Sequence, residues 1–408
     1  MTTPKSKKVL ISGASIAGPT LAFWLAKYGF MVTVVERAPG LRLGGQNIDV
    51  NGPAKHIARK MGIEEAIRAA NTGELGLQLI GQDNQVAAAF PKEGAMSGTQ
   101  ELEIIRGDLV SILYERTKQN VTYWFGDSIT ALEQQPDQVR VTFASGKTDT
   151  FQFVIAADGI RSRTRRLMFG QEPIFEYLGL YTAYLTIPRQ ETDNDWWRWY
   201  TAVDRRIVML RPDNQGTIRA SVAFLAAEQA YDNFSSADQK QLLKDTLAGA
   251  GWETERIVNA LDEVSDVYFD KVGQIKAPRW FIGRVGMIGD AAYCPTPLTG
   301  KGTTLAMVGA YLLAGELASQ QDYQAAFMAY EKRMRPYVEE VQKLPPGVPW
   351  LVYPRTPLGV SLLNTVAGIV ASKPVQGVFG LFTSAKSKKE SQDDGIVLPD
   401  YRESSSLI

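Results

Sequence analysis

Histidine and cysteine are almost missing from this chain of 408 residues, with His56 and Cys294 the only ones of their kind. One cysteine excludes an intramolecular disulfide, and the scarcity of both excludes a metal site built from several imidazole and thiolate ligands. A Ser-His-Asp triad would have to use His56. That residue sits in Ala54-Lys55-His56-Ile57-Ala58-Arg59-Lys60, which reads as the polar side of a surface helix. Net charge is lacking too: Lys+Arg and Asp+Glu are both 44, so no general field favours nucleic acid or an anionic membrane. No secretory leader is legible. Met1 to Lys8 is short and basic and runs straight into a strand, which with a reduced Cys294 implies a cytoplasmic protein.

Long uninterrupted apolar runs are also scarce. Pro357 to Phe382 carries a single charge, Lys373, but Gly359, Gly368, Pro374, Gly377 and Gly380 break it, whereas a spanning helix wants about 20 predominantly apolar residues. It reads as a C-terminal helical cover over buried apolar surface, with a membrane-surface anchor as the alternative. Residues 384–408 are Lys/Ser/Asp-rich and are expected to form a flexible tail.

What is present begins at Lys8-Val9-Leu10-Ile11-Ser12, an apolar run too short for a helix. The turn Gly13-Ala14-Ser15-Ile16-Ala17-Gly18 follows, then helical spacing from Pro19 to Gly29, then the strand Met31 to Glu36. Strand, glycine turn, helix and strand together are the context in which such a turn binds a dinucleotide. Ser15 replaces the second glycine and is small enough to be tolerated. Gly13 permits the tight turn, Gly18 permits close helix packing, and the helix N-terminus offers free N–H groups to phosphate. Glu36, 18 residues past Gly18, ends the second strand where an acid accepts hydrogen bonds from a ribose.

Two later runs repeat the buried-strand pattern, Thr150 to Ala157 entering Asp158-Gly159 and Val285 to Ile288 entering Gly289-Asp290. The second continues through Pro295, Pro297, Gly300, Lys301, Gly302 and Thr303 into a helix. Asp290 can meet a ribityl hydroxyl, and the Pro297 to Gly302 loop can bring N–H groups to a flavin ring where charge develops on reduction. This points to FAD rather than to a plain NAD(P)-dependent dehydrogenase. Between the two runs, Leu178 to Leu225 is rich in Tyr and Trp and reads as an antiparallel sheet. Its aromatics suit a core or a binding face equally. Strand alternation offers Tyr184, Trp197, Arg198, Met209, Arg211 and Phe224, with Pro295, as substrate-facing candidates. Residues 301–340 read as long helices.

With these motifs in order, the chain resembles the class A flavoprotein monooxygenases, the para-hydroxybenzoate hydroxylase family, over residues 8 to about 340. The resemblance rests on the glycine turn with Glu36, on Ala157-Asp158-Gly159-Ile160-Arg161-Ser162, and on Gly289-Asp290-Ala291-Ala292. Ile105-Arg106-Gly107-Asp108-Leu109 matches a place where the family starts a helix with an arginine that contacts FAD. Gly44-Gly45-Gln46 and Ala291-Ala292-Tyr293-Cys294-Pro295 look most like tetracycline-inactivating and polyketide-tailoring members. Tyr293 stands where many relatives have histidine, and Lys301 and Thr304 replace a common glutamine and asparagine.

The resemblance implies an α/β fold: a Rossmann-like FAD-binding domain, an inserted antiparallel-sheet substrate domain, and a C-terminal helical cover. The expected division is 1–175 and 276–340 for FAD, 176–275 for substrate with further strands from about 75–105, and 341–383 for the terminal helices. It implies FAD as cofactor and NAD(P)H as co-substrate, with O2 and an aromatic or polycyclic small molecule as the other partners, in a monomer or dimer. Implied cofactor residues are Gly13, Ala14, Ser15, Ala17, Gly18, Glu36, Arg37, Arg42, Gln46, Arg106, Asp158, Asp290, Pro297, Gly300, Lys301, Gly302 and Thr303. A flavin-binding cyclase or other non-redox tailoring enzyme is the alternative. Arg161, Arg163, Arg165 and Arg166 read mostly as a solvated helix face. Cys294 has no second cysteine and carries no redox role.

Overall fold

The computed structural model describes residues 7–92, 102–229, 231, 234–264, 267–372 and 395–401. Apolar runs at the first, second and two later positions form one six-stranded sheet. Its order is Phe281–Ile282, Val285–Met287, Phe153–Ala156, Lys8–Ser12, Met31–Glu36 and Thr122–Phe125, parallel except for the first, which is an antiparallel edge. Burial on both faces explains why these strands read as continuous apolar runs rather than alternating ones. The glycine turn, Glu36, Asp158-Gly159 and Gly289-Asp290 all leave the same, carboxyl end of this sheet, where such sheets bind ligands, while Arg106 follows Glu103–Ile105, which pairs separately with Asn47–Asp49.

The helix Ala17–Lys27 follows the glycine turn, and Gly302–Ser319 follows the second loop. They pack together against the sheet, with the Trp24 and Tyr311 rings 4.8 Å apart. Nearly every residue of Gly302–Ser319 is buried, so it has no polar face and forms the centre of the molecule. Tyr323–Val341 covers it from outside.

The aromatic region forms a seven-stranded sheet in the order Tyr268–Lys276, Ile174–Pro188, Thr217–Leu225, Arg206–Pro212, Trp197–Ala202, Gly76–Ile80 and Val86–Pro91. Its pairs are antiparallel except Trp197–Ala202 with Gly76–Ile80. Successive side chains alternate between faces. The back face, with Tyr181, Val208, Leu210, Phe224 and Phe269, is sealed by the helices Ser236–Leu247 and Thr254–Glu263. The front face, with Leu180, Ile207, Ala223 and Val272, meets Leu298 of the second loop and Tyr353.

The helix Pro357–Ala371 lies across the edge strand Val86–Pro91, so closely that a Cβ at Gly368 would be 3.0 Å from the Ala87 carbonyl oxygen. None of its residues is fully buried. A cleft lined by Gln82, Tyr200, Val360 and Asn364 opens beside it and contains none of the motif residues. Residues 373–382 of the expected cover lie outside the described residues. No described helix is long and apolar enough to cross a membrane.

The tail departs from expectation. Residues 395–401 return to the nucleotide-binding sheet's helices: Tyr401 Oη donates to Glu316 at 2.7 Å, Tyr311 Oη to the Pro399 carbonyl at 2.6 Å, and Lys60 pairs with Asp400 at 2.6 Å. Ile396 and Leu398 pack on the main core. Composition suggested flexibility because the surrounding Lys, Ser and Asp dilute three apolar side chains that find a groove. The rest of 384–408 lies outside the described residues.

Candidate active site

Gly13 has φ +110°, and a Cβ there would come within 2.5 Å of the Ala157 carbonyl oxygen. One at Gly18 would overlap the Gly13 carbonyl oxygen. Only glycine therefore lets the turn run against both the neighbouring strand and its own helix. The helix Ala17–Lys27 has no side-chain cap and no acid in its first turn, so its N–H groups remain available to an anion. Glu36 is buried and accepts from Ala14 N and Ala38 N, both at 3.0 Å. Ala14, Ser15, Glu36, Leu41, Arg42 and Arg106 thus line one small cleft.

Arg106 organises its rim. Its guanidinium donates to Ser15 Oγ at 3.0 Å and to the Gly44 carbonyl at 2.8 Å. Ser15, the departure from glycine, thereby holds the arginine's side chain. A Cβ at Gly45 would sit 2.6 Å from Arg106 Nε, and one at Gly107 would overlap the Leu43 carbonyl. The 42–46 loop is therefore keyed onto the start of the helix Arg106–Thr117, with Gln46 O accepting from Arg106 N at 3.0 Å. Arg37 and Arg42 are exposed.

At the second motif, Gly289 (φ +60°) turns the chain into the short helix Asp290–Tyr293. Protein surrounds Asp290, and this removal from bulk water raises its carboxyl above the usual range, yet the residue itself is exposed. Nearby, the Thr296 hydroxyl is buried with no hydrogen-bond partner among the described residues. Lys301 Nζ and Thr304 Oγ1 both donate to Asn51 Oδ1, at 3.2 and 2.8 Å. Pro297 and Gly300 are exposed on the same loop, while Gly302 and Thr303 open the long helix. Burial and the charge of Asp290 push the Cys294 thiol well up, which leaves it a poor nucleophile.

Asp158 is held within its own turn. Its carboxylate accepts from the Ser162 hydroxyl and from Arg163 N, Thr164 N and Thr164 Oγ1 at 3.0–3.1 Å. It shapes its own turn. Arg165, expected on a solvated face, is buried and donates to the Ala291 carbonyl at 2.8 Å, which ties this turn to the second motif. Arg161 reaches the other sheet and pairs with Asp270 at 2.6 Å.

Of the substrate candidates, Tyr184, Trp197, Met209 and Arg211 lie on the front face of the seven-stranded sheet, by alternation from Leu180, Ile207 and Trp199. Two candidates are corrected. Phe224 is on the back face, stacked on Tyr181 at 5.7 Å, and Arg198 is buried on that side in an ion pair with Asp193. Alternation identifies two faces but not which one looks inward. Pro295 is buried, its carbonyl accepting from Gln274 at 3.1 Å.

Arg211 belongs to a charged group that local sequence does not reveal. It binds Glu74 through two N–H groups at 2.8 and 3.0 Å and Glu103 at 2.7 Å, and lies 4.2 Å from the Trp197 ring centre. Both glutamate side chains are 0% exposed. Asn47 Nδ2 adds a bond to Glu103 at 2.7 Å. Burial pushes Glu74 from 4.5 up to about 7, with the charge of Glu103 adding and Arg211 opposing. A carboxyl whose folded pKa lies above its unfolded one contributes stability at acid pH that is lost as pH rises through the folded value. Melting temperature is accordingly expected to fall between pH 4.5 and 7 by a contribution that Glu74→Gln removes. An identical pH profile for that variant in differential scanning calorimetry contradicts the assignment.

A family model described as an FAD binding domain matches residues 6–344. A flavin-dependent monooxygenase of Legionella longbeachae is 38% identical over 349 residues, covering 83% of this chain and 88% of that one. The flavin-dependent monooxygenase eupH of a Phoma species is 35% identical over 429 residues, covering 97% and 98%. The crystal structure of tetracycline destructase Tet(55) superposes with a TM-score of 0.80 at 32% identity, covering 98% of this chain and 100% of that one. Taken with the glycine turn, Glu36 and the Gly289-Asp290 loop at one end of one sheet, these likenesses show that the chain belongs to the FAD-binding-domain family and is an FAD-dependent monooxygenase.

Proposed function

We propose that this enzyme uses NAD(P)H and O2 to oxygenate an electron-rich aromatic or polycyclic small molecule, of the tetracycline-like polyketide class. The observation that carries the reading is the placement of the front face of the seven-stranded sheet against the flavin loop, through Leu298. Tyr184, Trp197, Met209 and Arg211 on that face offer flat apolar surface and one fixed cation, which suits a ring system bearing carbonyl or phenolic oxygens. The tetracycline for which the destructase Tet(55) is named has that character.

FAD fits the residues present. The uncapped helix after Gly13 and the Arg106 guanidinium would hold its diphosphate, Glu36 its ribose, and Asp290 with the orphan Thr296 hydroxyl the ribityl chain and ring surroundings. Bound there, the flavin accepts electrons from NAD(P)H and activates oxygen. The protein's own tasks are to bind, to orient and to exclude water. Glu36 fixes the turn, Arg106 fixes the 42–46 loop, and Arg165 fixes the Asp158 turn against Ala291. No histidine is needed for these tasks. A monomeric or dimeric state and cytoplasmic residence complete the reading, and a free, buried Cys294 is compatible with a reducing compartment.

The test is purified flavin-loaded protein given NADPH or NADH with tetracyclines, phenols and polyketides. The expected result is ring-dependent NAD(P)H oxidation with matching O2 consumption and a product heavier by one oxygen atom. Turnover without O2 or NAD(P)H would instead show a cyclase.

A further inference from the structure

Lys301 stands where a cation is electrostatically out of place. It is the N-terminal flanking residue of the Gly302–Ser319 helix, whose first turn holds no acid and has no side-chain cap. That end of a helix already carries about half a positive elementary charge on its unpaired N–H groups. Lysine is favoured at the opposite end. Its ammonium has Asn51 Oδ1 as its hydrogen-bond partner, at 3.2 Å, and it forms no ion pair among the described residues. Thr304 Oγ1, donating to the same oxygen at 2.8 Å, keeps the Asn51 acceptor turned toward the lysine.

Asp290 is the only other charged residue from Ile288 to Thr304, and it lies at the far end of the loop. Two positive sources thus lie side by side in a half-buried setting, and no described residue gives the lysine an ion pair. Such an arrangement is destabilising by itself and becomes favourable when negative charge is bound beside it. A neutral glutamine at this position would supply hydrogen bonds without this demand.

We propose that Lys301 is the residue that sets the flavin's reduction potential in this enzyme. Hydride from NAD(P)H brings two electrons and one proton to the ring, which leaves the reduced ring with one net negative charge. The Lys301 ammonium, steered by Asn51, acts with the helix N-terminus to stabilise that charge. The assignment rests on the reading above that the Pro297 to Gly302 loop faces the ring.

The experiment compares flavin-loaded wild type, Lys301→Gln and Lys301→Arg by redox titration, by sulfite binding to the oxidised flavin, and by FAD affinity of the apoprotein. Lys301→Gln is expected to weaken sulfite binding about tenfold and to lower the two-electron potential by about 30 mV, the equivalent of tenfold in the reduction equilibrium. Its FAD affinity stays within about threefold, which is under 1 kcal/mol. Lys301→Arg restores both readings and shows that charge, not packing, is responsible. Unchanged potential and sulfite affinity overturn the assignment. A drop in FAD affinity alone also overturns it and assigns the ammonium to the cofactor's phosphates instead. Wild-type protein that takes up no flavin overturns the underlying reading, and is distinguished because it precedes any comparison of variants.

Discussion

Replacing Gly18 by alanine weakens FAD binding about a hundredfold and lowers the melting temperature, while Gly40→Ala does neither. An added methyl at Gly18 overlaps the Gly13 carbonyl oxygen and comes within 3.4 Å of the Ile11 side chain. The first of these is backbone, and Gly13 is anchored by its own N–H, which donates to the Val35 carbonyl oxygen at 2.8 Å, so no rotamer change relieves the overlap. Either the turn opens or the helix withdraws. Both move the N–H groups that would face the diphosphate. An overpacking cost of about 3 kcal/mol, at the upper end of the usual range, corresponds to roughly a hundredfold when it falls on binding. Gly40 has nothing within 4 Å of its Cβ position, and its variant should stay within about 0.5 kcal/mol of wild type. Flavin fluorescence titration of the two apoproteins checks this. Comparable affinity for both variants would mean that the turn does not carry the cofactor.

The nucleotide-binding half was legible because its information is local. A strand, a glycine turn, a helix and an acid fall within 36 residues, and each step has its own steric or electrostatic reason. The Gly289-Asp290 segment is equally local. The substrate half was less legible. Tyr184 and Phe224 follow the same alternation, and only the docking of two helices on one face decides that Phe224 is core. Arg198 looked like a binding arginine until Asp193, five residues earlier, was placed beside it. Arg165 read as a surface cation because its partner, the Ala291 carbonyl, lies 126 residues away. In the tail, Ile396, Leu398 and Tyr401 carry the packing in a segment whose average composition suggests none.

Glu74 and Glu103 escaped for the same reason, since they reach Arg211 across 137 and 108 residues. Their arrangement leads to the largest stability effect expected away from the glycines. Arg211→Met keeps the apolar contact with Trp197 but leaves two carboxylates, both 0% exposed, without a cation. Removing one partner of a buried ionic group costs about 3–5 kcal/mol. The loss should depend on pH, because a proton can replace the missing guanidinium. Glu74, already up at about 7 with Arg211 present, loses the cation that holds its pKa down in the variant and rises further, so the damage is greater at pH 8 than at pH 5. The triple variant Arg211→Met, Glu74→Gln, Glu103→Gln removes the unpaired charges and is expected to recover most of the stability. Urea unfolding of the three proteins at both pH values reads this out. A loss below about 1 kcal/mol in Arg211→Met, the range of an exposed ion pair, would show that water reaches the glutamates. The arginine would then be free to serve the substrate alone. Full loss with recovery in the triple variant would show that Arg211 and the two buried acids stabilise the seven-stranded sheet as one mutually neutralising group.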